Sequence, residues 1–249
     1  MSDQSYVFGI HAVQALLNKA PERITHLYLL AGRQDKRMEA IASLAKQAQI
    51  NIVLRDRNFL DQLCEGQHQG VVALAQASRS YNEQDLMSLI RASEHDPLIL
   101  VLDGVTDPHN LGACMRTADA VGVDAVVVPK DNSAGLNDVA RKVACGAAET
   151  VPLVVVTNLA RCLKKMQDLG IWLIGTDGDA SKAVYDEVLT GPRAVIMGAE
   201  GKGMRRLTRE LCDDLVFIPM QGSVSSLNVS VATGVVLYEV LRQRKAQRR

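Results

Sequence analysis

The sequence predicts an α/β protein in two parts, a small mixed domain followed by a larger one built on a parallel sheet. Strand and helix patterns alternate from the start of the chain. After Pro97 come six unbroken apolar runs, LILVLD, DAVVVP, VPLVVV, IWLIGT, RAVIMG and LVFIP, separated by helical segments. Such runs suit strands buried on both faces, which belong to parallel sheets covered by helices. Between the two patterns lies a more polar stretch, ASRSYNEQDLMSLIRASEH.

In chain order, GIHAVQALLNK puts Ile10, Val13, Leu16 and Leu17 on one stripe of a helix. ITHLYLLA reads as a strand, MEAIASLAKQAQ as a second helix and NIVLRD as a short strand. RNFLDQLC reads as a third helix and QGVVALAQ as another strand. The resulting division is a domain over 1–77, a linker with one helical piece over 78–96, and a domain over 97–249. For the second domain, pattern rules predict an open, unthreaded Rossmann-like topology, because threaded chains are rare. Ligands of such sheets bind beyond the carboxyl ends of the strands.

Composition narrows the function. At 249 residues and 47% hydrophobic, the chain can bury a proper core, so disorder is not expected. No apolar run approaches the ~20 residues of a membrane span. The first residues carry Asp3 and no basic segment ahead of an apolar stretch, so they are not a secretory signal. A cytoplasmic protein with no membrane role is expected. Cys64, Cys114, Cys145, Cys162 and Cys212 form no C-x-x-C pair, which leaves them as small buried hydrophobes rather than a zinc or disulfide framework. The 28 basic and 28 acidic residues cancel, which argues against a nucleic acid held by bulk charge. The charge is uneven, however. LRQRKAQRR at the carboxyl end has five basic residues and no acid, and GKGMRRLTR over 201–209 has four; from charge pattern alone these are solvated faces.

Three loops, each after a strand, hold the functional candidates. The first runs from Gly104 through Asp107, Pro108 and Asn110 to Arg116. Asn110 is a candidate N-cap, and Gly112, one turn before Arg116, leaves room for a partner's backbone. The bland alternative is a capping Asn and a surface Arg116 paired with Asp119. The second loop, Gly198-Ala-Glu-Gly-Lys-Gly, has the G-x-x-G-x-G order, which is neither a P-loop nor a dinucleotide fingerprint. Its glycines expose backbone amides, and Glu200 among them has no packing duty and can accept hydrogen bonds from a ligand. In the third loop Ser223, Ser225, Ser226 and Asn228 crowd a helix start where one cap suffices, which points to ligand contacts. That helix extends to about Arg242. No G-x-S-x-G or Ser–His pairing supports a hydrolase.

Together, LDGVTDPHNLGACMRTADAVG, IMGAEGKGM and IPMQGSVSSLNVSVATG resemble the three ordered motifs of the SPOUT (TrmH-type) RNA ribose methyltransferases. The resemblance covers the whole chain. It implies a parallel sheet threaded into a deep trefoil knot, in place of the open topology, and an L30e-like amino-terminal domain that grips RNA. It further implies S-adenosyl-L-methionine as cofactor, a homodimer whose active sites draw on both chains, and a guanosine of 23S rRNA, free or in a large-subunit assembly intermediate, as substrate. The implied cofactor contacts are Thr176, Met197, Gly198, Ile218 and Leu227. The implied catalytic set is Asn110, Arg116, Glu200, Ser226 and Asn228. In that set Asn110 positions Arg116 and the ribose, Glu200 and Asn228 fix the loop, and Ser226 caps the helix beside the cofactor.

A ribose hydroxyl is a poor nucleophile while protonated, so methyl transfer needs proton removal, alignment and exclusion of water. No metal is required, because the transfer discharges a sulfonium. Two jobs stay open for Arg116, activating the hydroxyl or clamping a phosphate, since a guanidinium with pKa above ~12 stays charged. Three rivals stand beside this reading. A Rossmann-type methyltransferase needs a G-x-G turn after VLDGV, where Val-Thr-Asp-Pro-His stands instead. A non-catalytic RNA-binding protein predicts decayed cofactor loops, and a related enzyme acting on tRNA shares the motifs.

Overall fold

A computed structural model of the chain describes residues 4–64, 66–76 and 79–247. Its strands are β1 (Gln4–Phe8), β2 (Ile24–Leu30), β3 (Ile52–Arg55), β4 (Val71–Gln76), β5 (Leu98–Asp103), β6 (Ala125–Pro129), β7 (Leu153–Val156), β8 (Trp172–Thr176), β9 (Lys182–Ala183), β10 (Arg193–Gly198) and β11 (Asp214–Phe217). Its helices are α1 (Ile10–Lys19), α2 (Lys36–Gln47), α3 (Arg57–Leu63), α4 (Glu83–Ala92), α5 (Pro108–Val121), α6 (Asp138–Ala144), α7 (Ala147–Thr150), α8 (Leu159–Asp168), α9 (Arg206–Leu211) and α10 (Val229–Gln247). The chain forms two compact units, Met1–Arg79 with Cys145–Thr150, and Ser80–Ala144 with Val151–Arg249. The expected boundary at Ala77 and Ser78 lies outside the described residues, as do Arg248 and Arg249 of the terminal basic run. No described helix is long and apolar enough to cross a membrane.

The first unit is a four-stranded sheet in the order β1-β4-β2-β3, backed by α1 and α2. Its core joins Ile10, Val13, Leu16 and Leu17 of α1 to Met38, Ile41 and Ala45 of α2 and to Leu27, Leu29, Val71, Ala73 and Ala75 of the sheet. Helix α2 begins where the Asp35 carboxylate accepts from the Arg37 and Met38 amides at 3.0 and 3.1 Å, a side-chain cap for its first turn. Strand β1 escapes the sequence pattern: it pairs antiparallel with β4, yet Gln4, Ser5 and Tyr6 are all exposed. The unit also takes in Cys145–Thr150 from far along the chain. There Gly146 has φ +98 and lies so close to α1 that a Cβ would meet the His11 carbonyl at 3.0 Å, and Arg23 pairs with Glu149 at 3.0 Å.

The second unit is a seven-stranded sheet in the order β7-β6-β5-β10-β8-β11-β9, with every neighbouring pair parallel. The chain steps outward from β5 to β7, then lays down β8 on the other side with one place left vacant. Strand β10 returns to fill that place, six of its residues pairing with β5 and four with β8. This is not the Rossmann-like strand order that periodicity suggests: apolar runs identify buried strands but carry no information about which neighbours they choose. The polar stretch read as a linker holds α4, whose Leu86, Met87 and Ile90 are buried in the core of the second unit. Its polar residues occupy the outer face of that helix, and Asn82 with Asp85 closes a capping box at its start.

Helix α5 packs against both α6 and α10. The room left by Gly112 is filled by the chain itself: a Cβ there would stand 2.5 Å from the Ala140 carbonyl and 2.8 Å from the Val143 Cβ of α6. Because the nearest atom is backbone, the clash is not relieved by a side-chain rotation. Gly112→Ala is therefore expected to lower the unfolding free energy by about 2 kcal/mol, read as a reduced urea midpoint; an unchanged midpoint would contradict this packing.

Candidate active site

The carboxyl ends of β5, β10, β8 and β11 lie side by side in the sheet, and the three motif loops leave from β5, β10 and β11. Each glycine of the second loop is demanded by the turn itself. Ala199 and Gly203 exchange backbone hydrogen bonds of 3.0 and 2.9 Å, and Gly201 and Gly203 have φ of +73 and +66. A Cβ on Gly198 would fall 2.3 Å from the Gly203 carbonyl carbon and the Met204 amide. The carboxylate of Asp103, at the end of β5, is fully buried and accepts from the Arg205 amide at 2.9 Å, with the Arg205 guanidinium 3.1 Å away. Sequence reading passed over Asp103, although an acid closing an otherwise apolar strand is a visible signal.

Glu200 sits at the tip of this turn. Its Oε1 accepts from Asn110 Nδ2 at 3.2 Å, Asn228 Nδ2 at 2.6 Å and the Val229 amide at 3.3 Å. Asn228 Nδ2 also donates to Asn110 Oδ1 at 3.0 Å. One carboxylate oxygen thus ties the second loop to α5 and α10, so Glu200 does have a structural duty. Asn110 is not the cap of α5: Asp107 is, accepting from the His109 amide at 3.0 Å. Asn110 lies in the first turn and is buried, its amide aimed at Glu200. Ser226 does not cap α10 either. Asn228 takes that position, its Oδ1 accepting from the Ser230 amide at 2.9 Å, while Ser226 stands exposed before it.

Arg116 is not part of this cluster. It lies six residues beyond Asn110, about 240° around the helix at 3.6 residues per turn, so the two leave different faces. Its side chain is exposed, and no ion pair or hydrogen bond joins it to another described residue, Asp119 included. Four of the five implied cofactor contacts, Thr176, Met197, Gly198 and Ile218, lie at strand ends, and Leu227 lies in the loop before α10. Thr176 Oγ1 donates to the Ile196 carbonyl at 3.1 Å, Met197 is buried, and Gly198, Ile218 and Leu227 are partly buried. Among the described residues, no hydrogen bond to the chain occupies the backbone amides of 218 or 220–227. Free amides beside partly buried apolar side chains form a cradle suited to a ligand with both acceptors and apolar parts, as a sulfonium nucleoside has.

The cysteines divide. Cys114 and Cys162 are buried, Cys64 and Cys212 are partly so, and Cys145 is exposed, against the expectation of five buried thiols. Cys114, beside Thr233 at 3.5 Å, is pushed up to about 11 by burial and is no nucleophile at neutral pH.

Comparison with known proteins adds a family. Residues 97–238 match the SpoU rRNA Methylase family, and residues 6–81 match the model described as RNA 2'-O ribose methyltransferase substrate binding. The chain belongs to the SpoU rRNA methylase family. It is 57% identical over 249 residues, all of both chains, to the 23S rRNA (guanosine-2'-O-)-methyltransferase RlmB of Pseudomonas syringae pv. tomato. The protein of the same name from Escherichia coli K12 is 56% identical over 96% of this chain and 98% of its own. The solved structure of the SpoU methyltransferase AviRb from Streptomyces viridochromogenes with AdoMet superposes with a TM-score of 0.77 at 25% identity, covering 98% of this chain and 91% of that one. The fold of this family is thus shared, and the cofactor is S-adenosylmethionine.

Two outcomes follow from the geometry. Glu200→Ala strips the buried Asn110 amide of its acceptor and should cost about 1–2 kcal/mol in urea unfolding, whereas Glu200→Gln, which keeps one carbonyl oxygen, should cost less; equal stability of Glu200→Ala and wild type would contradict the tie. Burial disfavours the charge on Asp177, but the Arg209 guanidinium and the Asp179 amide outweigh it and hold the carboxyl below its ordinary value. Its contribution is thus present above the unfolded pKa and lost as pH falls through the lower folded value. The difference in Tm between wild type and Asp177→Asn should shrink on acidification from pH 6 toward 3; a constant difference would contradict the pairing.

Proposed function

We propose that the chain transfers a methyl group from S-adenosylmethionine to the ribose 2′-hydroxyl of a guanosine in 23S rRNA. The observation that carries the reading is the intact Asn110–Glu200–Asn228 cluster at the sheet's carboxyl edge, in a chain of full-length likeness to enzymes described by that reaction. The names of the full-length relatives favour an enzyme over a non-catalytic scaffold, and rRNA over tRNA.

The cofactor supplies an electrophilic methyl on sulfur. Thr176, Met197, Gly198, Ile218 and Leu227 would hold it through backbone groups and apolar contacts. The path of the chain through the sheet is a trefoil knot, a reading supported by the late return of β10 between β5 and β8. The Asn110–Glu200–Asn228 cluster keeps the loops in register so that the ribose and the methyl donor meet in line, the part of catalysis that comes from positioning. Ser226, exposed before α10, is placed to meet substrate.

Arg116 works as a cation free of partners among the described residues, either lowering the pKa of the 2′-hydroxyl by standing beside its developing charge or holding the adjacent phosphate. A homodimer brings Arg116 to its partner's site. Supporting that assembly, α10 exposes Val231 and Tyr238, with Val235 between them, at i, i+4 and i+7. The first unit, L30e-like and matching the substrate-binding model, grips the RNA in rRNA or an assembly intermediate, in the cytoplasm.

Calorimetric titration with S-adenosylmethionine, followed by transfer of a labelled methyl to transcribed 23S rRNA and mapping of methylated riboses, tests the proposal; no heat and no label would overturn it. Arg116→Ala is expected to lower turnover by about a hundredfold or more while cofactor affinity stays within a few fold. Arg116→Lys separates the two roles: a fall in kcat at saturating RNA marks hydroxyl activation, and a rise in KM for RNA marks the phosphate clamp. Full activity of the Lys variant would remove both.

A further inference from the structure

The chain has few aromatic residues, one Trp, five Tyr and three Phe. Four of them, Tyr6, Phe8, Tyr28 and Phe59, belong to the first unit. None is in its core, which is built only from Ile, Val, Leu, Met and Ala. Aromatic side chains ordinarily dominate cores because they bury so much area. Here all four lie on the other side of the sheet, the side that α1 and α2 do not cover.

The placement follows from register. Tyr6 of β1 and His26 of β2 both pair with Leu74 of β4, which puts the three side by side across three strands. A bulge at Thr25 lets Ile24 and Leu27 both face the core while His26 turns outward. Two residues on, the Tyr28 ring runs nearly parallel to that of His26, 6.2 Å away with an 11° interplanar angle. Phe59 of α3 follows at 5.6 Å from Tyr28, and the Arg55 guanidinium lies over Phe59 at 5.2 Å. Helix α3 covers only one end of this face, where Leu60 and Val72 are fully buried. At the other end Tyr6 and His26 are exposed.

We infer that this open face is a stacking platform for unpaired bases of the RNA substrate, with Tyr6 and His26 as the ring surfaces that meet bases and Arg55 as the neighbouring phosphate contact. The inference rests on the RNA-methylating reading above and deepens it. Its occupant is set by chemistry and by place: flat rings with a cation at their edge suit nucleobases and phosphate, and the unit matches a substrate-binding model for RNA methyltransferases over residues 6–81. Stacking also answers the charge problem, because it needs no net positive charge.

The test is binding of the full-length protein to transcribed 23S rRNA without cofactor, so that it does not depend on methyl transfer. Tyr6→Ala/His26→Ala is expected to weaken binding about tenfold or more, since stacking contributes ~1–3 kcal/mol per base, with the salt dependence of Kd unchanged. Arg55→Ala should instead flatten the salt dependence by about one phosphate contact. In methylation assays the double variant should raise KM for RNA and leave kcat within twofold, a split that a folding defect would not give. Tyr6→Trp in a Trp172→Phe background should bind as the wild type does, with fluorescence quenched by RNA. Wild-type affinity of the double variant, or unquenched Trp fluorescence on the bound RNA, overturns the platform. So does a loss confined to assembled particles, which would mark a protein-binding face. A wild type that binds rRNA but transfers no methyl overturns the enzymatic reading alone, and the binding data still decide this one.

Discussion

Strand β10 enters the sheet last among its central strands, pairing in parallel with β5 on one side and β8 on the other. Its carboxyl end therefore emerges in the middle of the sheet's edge, between the loops that leave β5 and β11. The chain must turn back at once to clear its neighbours. Gly198 allows this, since the backbone of Gly203 and Met204 passes where a side chain would stand. The turn delivers the Glu200 carboxylate to Asn110 and Asn228, residues 90 and 28 positions away in the chain. A carboxylate accepting several donors forms stronger hydrogen bonds than a neutral acceptor, so one side chain holds three loops to a common geometry.

Much of this was legible in the sequence. The apolar runs after Pro97 located the sheet, because strands buried on both faces need no alternation, and the stripe Ile10, Val13, Leu16, Leu17 fell where α1 buries it. Three motifs in order were enough for the family. The sequence was silent on pairing partners, so the return of β10 and the passage of Cys145–Thr150 into the first unit were invisible. It also misassigned local roles where tertiary contacts overrode them. Asn110 has good capping chemistry, but Asp107 precedes Pro108, which suits the first helical position, and leaves Asn110 third in the helix, within its first turn. Glu200 looked free because its partners are distant in sequence.

The glycines show the same limit. In a loop, Gly198, Gly201 and Gly203 suggest exposed amides waiting for a ligand, yet each answers a demand of the chain, two by positive φ and one by close approach. Among the described residues, amides without a partner in the chain run through the loop after β11, a segment whose serines and apolar residues gave a weaker signal. A cofactor cradle and a tight turn draw on the same residue types, and only the hydrogen-bond accounting separates them.

Zero net charge had argued against an RNA partner, and the structure shows how far that argument reaches. Many of the cations are already engaged: Arg205 with Asp103, Arg209 with Asp177, Arg242 with Glu239, Lys165 and Arg161 with Glu83. Those pairs hold the chain to itself. Arg116 and Arg55 differ, the first exposed with no partner among the described residues and the second laid on an aromatic ring. In the reading proposed above, RNA is recognised through shape, a few placed cations and ring surfaces, and through contacts repeated in a dimer, where two weak sites act at high effective concentration. Binding of that kind would lose little affinity as salt rises and would favour RNA whose bases are already unpaired over any duplex that presents only phosphates.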